Sequence, residues 1–173
     1  MLKVIKIKFL IFFFLISADC NAVIKPPLDN ILVSKNPIEY QNIDFEDFDG
    51  KIVNLINKNS KIYILNFWAT WCQPCREEMP FLDELQMNKN IEIFPINIEI
   101  KNQRKTEIFF KSLEIKNLSI FFDSDNKLVN LFRLRGLPTT IILNSDKKEV
   151  ARVIGAVDVS DEKFIEWIES IQD

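Results

Sequence analysis

Two kinds of hydrophobic pattern follow each other along the chain and predict strands that alternate with helices. Residues 61–68 and 91–98 form nearly unbroken apolar runs, which are typical of short strands buried on both faces. Elsewhere the apolar residues recur at helical spacing. The helices are expected at about 74–87, with a kink at Pro80, at 103–113, at 127–132, and in a terminal segment that carries Phe164, Trp167, Ile168 and Ile171 after Ser160 as N-cap.

Shorter apolar segments bounded by turns add further strands to the predicted sheet. The turn Asp49-Gly50 joins two of them into a hairpin over residues 43–55. The other strands are expected at 119–122, 139–143 and 149–154, the last two joined by the polar turn 144–148. Strands alternating with helices predict an α/β domain whose mixed sheet is covered by helices on both faces.

The stretch before this domain has a different composition. Residues 23–39 contain Pro26, Pro27 and Pro37 and no sustained period, so they are predicted as an extended tail or linker. The predicted domain therefore covers residues 40–173 and follows this linker.

The first 22 residues have the pattern of a secretory signal. Lys3, Lys6 and Lys8 precede an apolar run at 9–16, and small residues follow it. Eight apolar residues span only about 12 Å as a helix, against a hydrocarbon core of roughly 30 Å. Cleavage after Ala22 is expected, although a retained membrane anchor or lipidation at Cys20 stays open.

The composition excludes several kinds of chemistry. The chain has no His, so imidazole bases and His-ligated metal sites are excluded, and its three Cys cannot complete a four-ligand zinc site. Its three Gly are far apart and form no phosphate-binding loop. The net charge of −3 gives no broad basic surface for nucleic acid. No metal and no cofactor are expected.

The remaining candidate chemistry lies at Cys72 and Cys75, where a buried strand becomes a helix. A helix N-terminus favours the thiolate form of Cys72, and Arg76 adds a nearby positive charge. We therefore predict that Cys72 is the exposed nucleophile and that Cys75, one turn further and more buried, is the resolving thiol. The alternatives are half of a zinc site, whose other half is missing, and a structural disulfide, which would constrain little chain over four residues.

Two segments resemble a known family. The sequence ILNFWATWCQPCREEMPFLDEL at 64–85 closely resembles the active-site segment of the thioredoxin superfamily, most of all the TlpA/ResA-type exported thioredoxins. The sequence RGLPTT at 135–140 resembles the cis-proline loop of that family. The resemblance covers roughly residues 40–172 and implies a thioredoxin-like fold with an N-terminal β-hairpin.

The resemblance also implies roles for single residues. Pro138 would be the cis proline against the disulfide, and the Leu137 backbone would pair with an extended substrate. Glu78 matches an acidic residue that relays protons and tunes the thiol pKa values, whereas Asn66 is neutral where cytoplasmic thioredoxins carry a buried acid. Trp71, Gln73 and Pro74 are expected to contact substrate; Trp68, Trp167 and Met79 are expected in the core, and Glu77 at the surface.

The function implied by the resemblance is an exported thiol:disulfide oxidoreductase, periplasmic or membrane-anchored and facing the periplasm. It would reduce disulfides in other exported proteins, such as cytochrome c or copper-oxidase assembly substrates. A membrane electron donor of the DsbD or CcdA type would recharge it. Members dedicated to cytochrome c usually carry an acidic residue after the cis proline, so Thr139 at that position is weak evidence against this specialisation. The alternatives are a disulfide-introducing oxidase and a Cu(I) chaperone, whose relatives use a longer Cys spacing and a His.

Overall fold

Eight strands and four α-helices make up the part of the chain that the computed structural model describes, residues 25–157 and 161–171. The strands are β1 (Ile31–Glu39), β2 (Asp44–Asp47), β3 (Ile52–Asn54), β4 (Ile62–Trp68), β5 (Ile91–Asn97), β6 (Phe121–Phe122), β7 (Thr139–Asn144) and β8 (Lys148–Ile154). The helices are α1 (Gln73–Leu85), α2 (Gln103–Ser112), α3 (Lys127–Leu131) and α4 (Glu162–Ser170).

All eight strands belong to one mixed sheet in the order β1-β8-β7-β4-β5-β6-β2-β3. β4 and β5 are parallel, as are β5 and β6, while the other neighbours are antiparallel. The predicted α/β class and mixed sheet are confirmed, and both predicted hairpins are present as β2–β3 and β7–β8.

Central strand β4 divides the core into two layers. Its residues are all buried, and alternate side chains point to opposite faces because of the strand period of two. Trp68 packs on one face with residues of α1, α2 and α4. Phe67 packs on the other face, in a cluster with Phe45 of β2 and Phe132, the residue that follows α3. Both faces of the sheet are therefore covered, as predicted.

The linker prediction for residues 23–39 is wrong over Ile31–Glu39. This segment forms β1, which pairs antiparallel with β8 at the sheet edge. The pairing is irregular between Val33 and Ile38, where Pro37 lies. A proline is tolerated there because an edge strand does not need every N–H for a neighbour. The folded domain therefore begins before residue 40.

Some predictions concern residues outside the described ranges. The signal segment at 1–22 and the proposed N-cap Ser160 are among them. Asp161 caps α4 instead, since its side chain accepts a hydrogen bond from the Lys163 amide. Pro80 lies inside α1, and the kink there stays a prediction. Across residues 25–157 and 161–171, none of the helices combines the length and apolar character that a bilayer-spanning segment requires.

Candidate active site

The two cysteines meet at the junction between β4 and α1. Cys72 is the N-cap of α1, and its Sγ accepts a hydrogen bond from the Cys75 backbone N–H at 3.3 Å. The two sulfurs are joined in a disulfide with an S–S distance of 2.00 Å. Pro74 fits in the first helical turn because its missing N–H would have no partner there. The short loop after β4 thus delivers the disulfide to the positive end of a helix.

The two cysteines are buried in the predicted order, with Cys75 the deeper, but Cys72 is far less exposed than predicted. Cys72 is 5% exposed and Cys75 is 0% exposed. The expectation of an exposed Cys72 is therefore wrong for the disulfide form, in which both sulfurs belong to the apolar core cluster on the α1 side of the sheet. Cys72 is still the more exposed residue of the two, so in the disulfide form an incoming thiolate can reach it more readily than Cys75.

A carboxylate that the sequence analysis missed holds the loop before Cys72. The backbone N–H of Thr70 donates to Glu99 Oε2 at 2.6 Å, and Lys105 Nζ donates to Glu99 Oε1 at 2.6 Å. Burial raises the pKa of Glu99, but the hydrogen bonds from Lys105, Thr70 and Asn97 outweigh it and lower that pKa below its usual range. Glu99 follows β5, and the carboxyl end of β5 lies beside that of the parallel strand β4. The position of Glu99 directly after a predicted parallel strand is the sequence feature that could have indicated its place near the cysteines.

Glu78 is buried one helical turn after Cys75. It is 2% exposed, its Oε1 accepts from Asn66 Nδ2 at 2.7 Å, and its Oε2 accepts from the Val157 amide at 3.3 Å. Burial raises the pKa of Glu78 to about 7, although both hydrogen bonds lower it. A carboxyl group that titrates near neutral pH is suited to exchange protons with a thiol. Its neighbour Glu77 is exposed and bonds Gln73, as expected for a surface charge.

Asn66 connects Glu78 to the neighbouring strand. It lies in β4 opposite Thr140 of β7, and its Nδ2 donates to Thr140 Oγ1 at 3.0 Å as well as to Glu78. The side chain is completely buried, and its Oδ1 has no hydrogen-bond partner among the described residues. In this network a neutral amide faces Glu78, so no second acid shares its proton.

The predicted cis proline is present. The Leu137–Pro138 peptide bond is cis, and Pro138 is buried. The Gly155 amide donates to Pro138 O at 2.9 Å, and Thr139 Oγ1 donates to Gly136 O at 2.7 Å, so this loop is fixed on both sides. Leu137 packs against the core cluster that contains both cysteines. The loop and the disulfide therefore share one region of the molecule.

The other predicted side chains divide between surface and core. Trp71 is 69% exposed, and Gln73 and Pro74 are also exposed, so all three are available to a partner. Arg76 stacks on Phe109, with 4.7 Å from its guanidinium carbon to the ring centroid. Core positions are confirmed for Trp68, Trp167 and Met79.

A small cavity of about 180 Å³ opens beside Glu78. Its lining consists of Glu77, Glu78, Phe81, Ala156 and Val157. Glu78 is thus reachable from solvent by small molecules such as water, even though the side chain is buried. A larger cavity of about 570 Å³ lies between the β2–β3 turn and α2, and neither cysteine lines it.

Known proteins are similar to this chain in sequence and in fold. A family model described as thioredoxin-like matches residues 59–149, which is more than half of the chain. Thiol-disulfide oxidoreductase ResA of a Bacillus cereus strain is 31% identical over 120 residues, covering 68% of this chain and 68% of that protein. ResA of Bacillus thuringiensis (strain Al Hakam) is 30% identical over 123 residues, with the same coverage of both chains.

A solved structure supports the fold independently. The crystal structure of a DsbF homologue from Corynebacterium diphtheriae aligns with a TM-score of 0.67, covering 85% of this chain and 96% of that chain at 24% identity. At this identity the likeness bears on the fold alone, while the ResA relatives and the family model bear on the family. The chain therefore belongs to the thioredoxin-like family and is a ResA-like thiol-disulfide oxidoreductase.

Proposed function

We propose that this protein is an exported reductase that transfers two electrons from its Cys72/Cys75 dithiol to disulfides in other exported proteins. The observation that carries the proposal is the Cys72–Cys75 disulfide at the N-terminus of α1, with the buried carboxyl group of Glu78 one turn behind it. The redox-active disulfide takes the place of a cofactor. Its substrates would be disulfides such as those of cytochrome c or of copper-oxidase assembly proteins.

The proposed reaction starts from the reduced protein, and its first step is an attack by Cys72 on the substrate. The Cys72 thiolate attacks one sulfur of the substrate disulfide, forms a mixed disulfide and releases one substrate thiolate. The helix N-terminus and the Cys75 N–H favour that thiolate, because they place partial positive charge against Sγ. The greater solvent access of Cys72 supports its assignment as the attacking sulfur.

Cys75 completes the proposed transfer. Its thiol gives a proton to the Glu78 carboxylate, and the resulting thiolate attacks Cys72 Sγ. The Cys72–Cys75 disulfide forms, the Cys72–substrate bond breaks, and the second substrate thiolate leaves. Glu78 suits this role because its pKa of about 7 lies nearer to that of a thiol than an ordinary carboxyl pKa does.

Substrate and electron donor would meet the same exposed surface. Trp71, Gln73 and Pro74 surround the disulfide, and the Leu137 backbone would pair with an extended substrate segment. A membrane dithiol protein of the DsbD or CcdA type would return two electrons to Cys72–Cys75. The basic and apolar pattern of residues 1–22 supports an exported location, periplasmic or anchored to the membrane.

The proposal is tested by turnover of a small peptide disulfide, with dithiothreitol as the electron source. Cys72→Ser should abolish turnover, whereas Cys20→Ser, which removes the third thiol of the chain, should leave the rate unchanged. Cu(I) affinity is measured in the same preparation. Inert thiols together with tight, stoichiometric Cu(I) binding would overturn the proposal in favour of a copper chaperone. Faster oxidation of peptide dithiols than reduction of peptide disulfides would favour an oxidase.

A further inference from the structure

Both carboxylate oxygens of Glu78 face hydrogen-bond donors. Asn66 Nδ2 lies 2.7 Å from Oε1, and the Val157 amide nitrogen lies 3.3 Å from Oε2. This arrangement suits the ionised carboxylate, which only accepts hydrogen bonds. A proton placed between either oxygen and its present partner would meet another hydrogen. The protonated Glu78 therefore needs either a partner that can change from donor to acceptor or a proton that points away from both present partners.

Asn66 can make that change, and Val157 cannot. The Val157 partner is a backbone N–H, which has no acceptor lone pair. The Asn66 amide has a nitrogen and an oxygen of nearly equal size, and a half-turn about its terminal bond exchanges their places. Its Oδ1 is buried without a partner among the described residues, so the half-turn breaks no hydrogen bond at that end. A buried acceptor without a donor is rare and asks for an explanation.

Thr140 allows both orientations of the amide. Its Oγ1 now accepts from Asn66 Nδ2 at 3.0 Å. A threonine hydroxyl can also donate, so it can give a hydrogen bond to Asn66 Oδ1 after the half-turn. Glu78 and Thr140 would then both donate to the same amide oxygen, which has two lone pairs.

We propose that Asn66 is a positioning residue whose amide follows the proton on Glu78. The amide donates through Nδ2 to the ionised carboxylate, and it turns to accept through Oδ1 from the protonated acid. Glu78 can then take up and return a proton with a buried partner in both states. The use of this proton in thiol exchange rests on the proposed function, whereas the turn is a property of the resting protein.

The surroundings of Glu78 offer few competitors for this role. On α1 the ionisable side chains just before Glu78 are Glu77, whose carboxylate accepts from Gln73 at the surface, and Arg76, which bonds Ser112 and stacks on Phe109. Cys72 and Cys75 are joined in the disulfide and carry no titrating thiol. The segment of Ala156 and Val157 brings no ionisable side chain, and β4 and β7 bring only Asn66 and Thr140. Beyond these described residues, water that enters the cavity of about 180 Å³ is the other acceptor to test. The experiment must therefore distinguish the turned amide from a proton that points into this cavity.

Nuclear magnetic resonance of the isotope-labelled full chain in its disulfide form, in detergent micelles, tests the turn directly. Titration of the Glu78 carboxyl carbon fixes its protonation midpoint. Above the midpoint, the Asn66 Nδ2 protons should show an Overhauser contact to the Thr140 methyl group. Below it, that contact should weaken several-fold, with the same midpoint. An unchanged contact on both sides of the midpoint would overturn the proposal and assign the proton to cavity water.

A substitution gives a second readout. Asn66→Leu removes the donor to the carboxylate and, if the amide turns, the acceptor for the protonated acid as well, so the Glu78 midpoint should move by well under one pH unit. Thr106→Val is the control, because it removes a buried side-chain donor away from Glu78, namely the hydroxyl that donates to the carbonyl oxygen of Asn102, the N-cap of α2. A rise of about one pH unit or more in Asn66→Leu would show that the amide stabilises the carboxylate alone and would contradict the proposal. If that variant does not fold, the Overhauser measurement on the natural sequence still decides.

The two proposals can fail separately. If the amide turns but Glu78→Gln leaves the pH profile of thiol exchange unchanged, the positioning role of Asn66 stands and the proton relay in the proposed function fails. If thiol exchange depends on Glu78 but the amide does not turn, the proton relay stands and the positioning role of Asn66 fails.

Discussion

The backbone N–H of Cys75 donates to Cys72 Sγ across 3.3 Å, so the sulfur at the helix N-terminus is the one that receives a backbone hydrogen bond. Cys75 Sγ lies deeper, in a residue with no exposed surface. A hydrogen bond and a helix N-terminus both favour a thiolate at Cys72. The two cysteines therefore differ in how strongly their surroundings favour a thiolate and in how far they are exposed to solvent.

This inequality predicts which single substitution captures a partner. Cys75→Ser leaves Cys72 able to attack but removes the thiol that would release the mixed disulfide. Covalent adducts with a peptide disulfide should then accumulate through Cys72, as seen by non-reducing electrophoresis and mass spectrometry. Cys72→Ser should form few such adducts. Accumulation in Cys72→Ser instead would exchange the two assignments.

Burial of Glu78 predicts a loss of stability as the pH rises. Its folded-state pKa is about 7, raised from 4.5, so the folded state binds the proton more tightly than the unfolded state does. That contribution is complete below pH 4.5 and is lost as the pH rises through about 7. The loss amounts to about 3 kcal/mol in the free energy of unfolding.

Urea unfolding at a series of pH values checks this loss. Glu78→Gln should remove it, so the natural sequence should lose about 3 kcal/mol relative to the variant between about pH 4 and pH 8. Glu77→Gln is the matched control, since that neighbouring side chain is exposed. A difference between the natural sequence and Glu78→Gln that does not vary with pH would contradict the buried, proton-exchanging carboxyl.

Glu99 is predicted to hold the loop that precedes Cys72. Glu99→Ala removes the acceptor of the Thr70 N–H, and hydrogen exchange at the Thr70 amide should become about tenfold faster. Lys105→Met is the control, because it removes one partner of Glu99 and leaves the carboxylate in place. Unchanged protection of Thr70 in Glu99→Ala would mean that the loop is held by other contacts.

Tyr40 is predicted to tie the end of β1 to β8. Its hydroxyl donates to Glu149 Oε2 at 2.6 Å, and Glu149 is buried and paired with Arg152. Burial, followed by the hydrogen bond to Glu149, raises the pKa of Tyr40 to about 12. Tyr40→Phe should lower the free energy of unfolding by about 1–2 kcal/mol, measured in urea near neutral pH. No change would show that the phenol hydroxyl does not stabilise this edge.

Local patterns were sufficient to predict most of the fold. β4 and β5 are recognisable because a strand buried on both faces must be apolar throughout. β1 was not recognisable, because as an edge strand it buries little and carries Pro37. Its partner β8 lies more than 100 residues away in the chain. No short-range pattern can encode such a pairing.

The same distinction applies to the site. Cys72 and Cys75 form a short motif whose spacing indicates thiol chemistry, and Pro138 is expected from the resemblance of its loop to a known family. Glu99 lies outside both motifs, and Asn66 and Thr140 lie in different motifs, 74 residues apart in the chain. Thr70 meets Glu99 because β4 and β5 are parallel, and Asn66 meets Thr140 because β4 and β7 are neighbours. These contacts depend on sheet order, which single-sequence patterns do not specify.

The reduction potential of the Cys72–Cys75 couple tests the proposed reductase most directly. It is measured by equilibrating the purified protein with glutathione redox buffers and quantifying the free thiols. Reducing thioredoxins lie at about −270 mV and strongly oxidising relatives at about −120 mV. A reductase should give a potential near the first value. A potential near about −120 mV would contradict the proposed direction of electron flow.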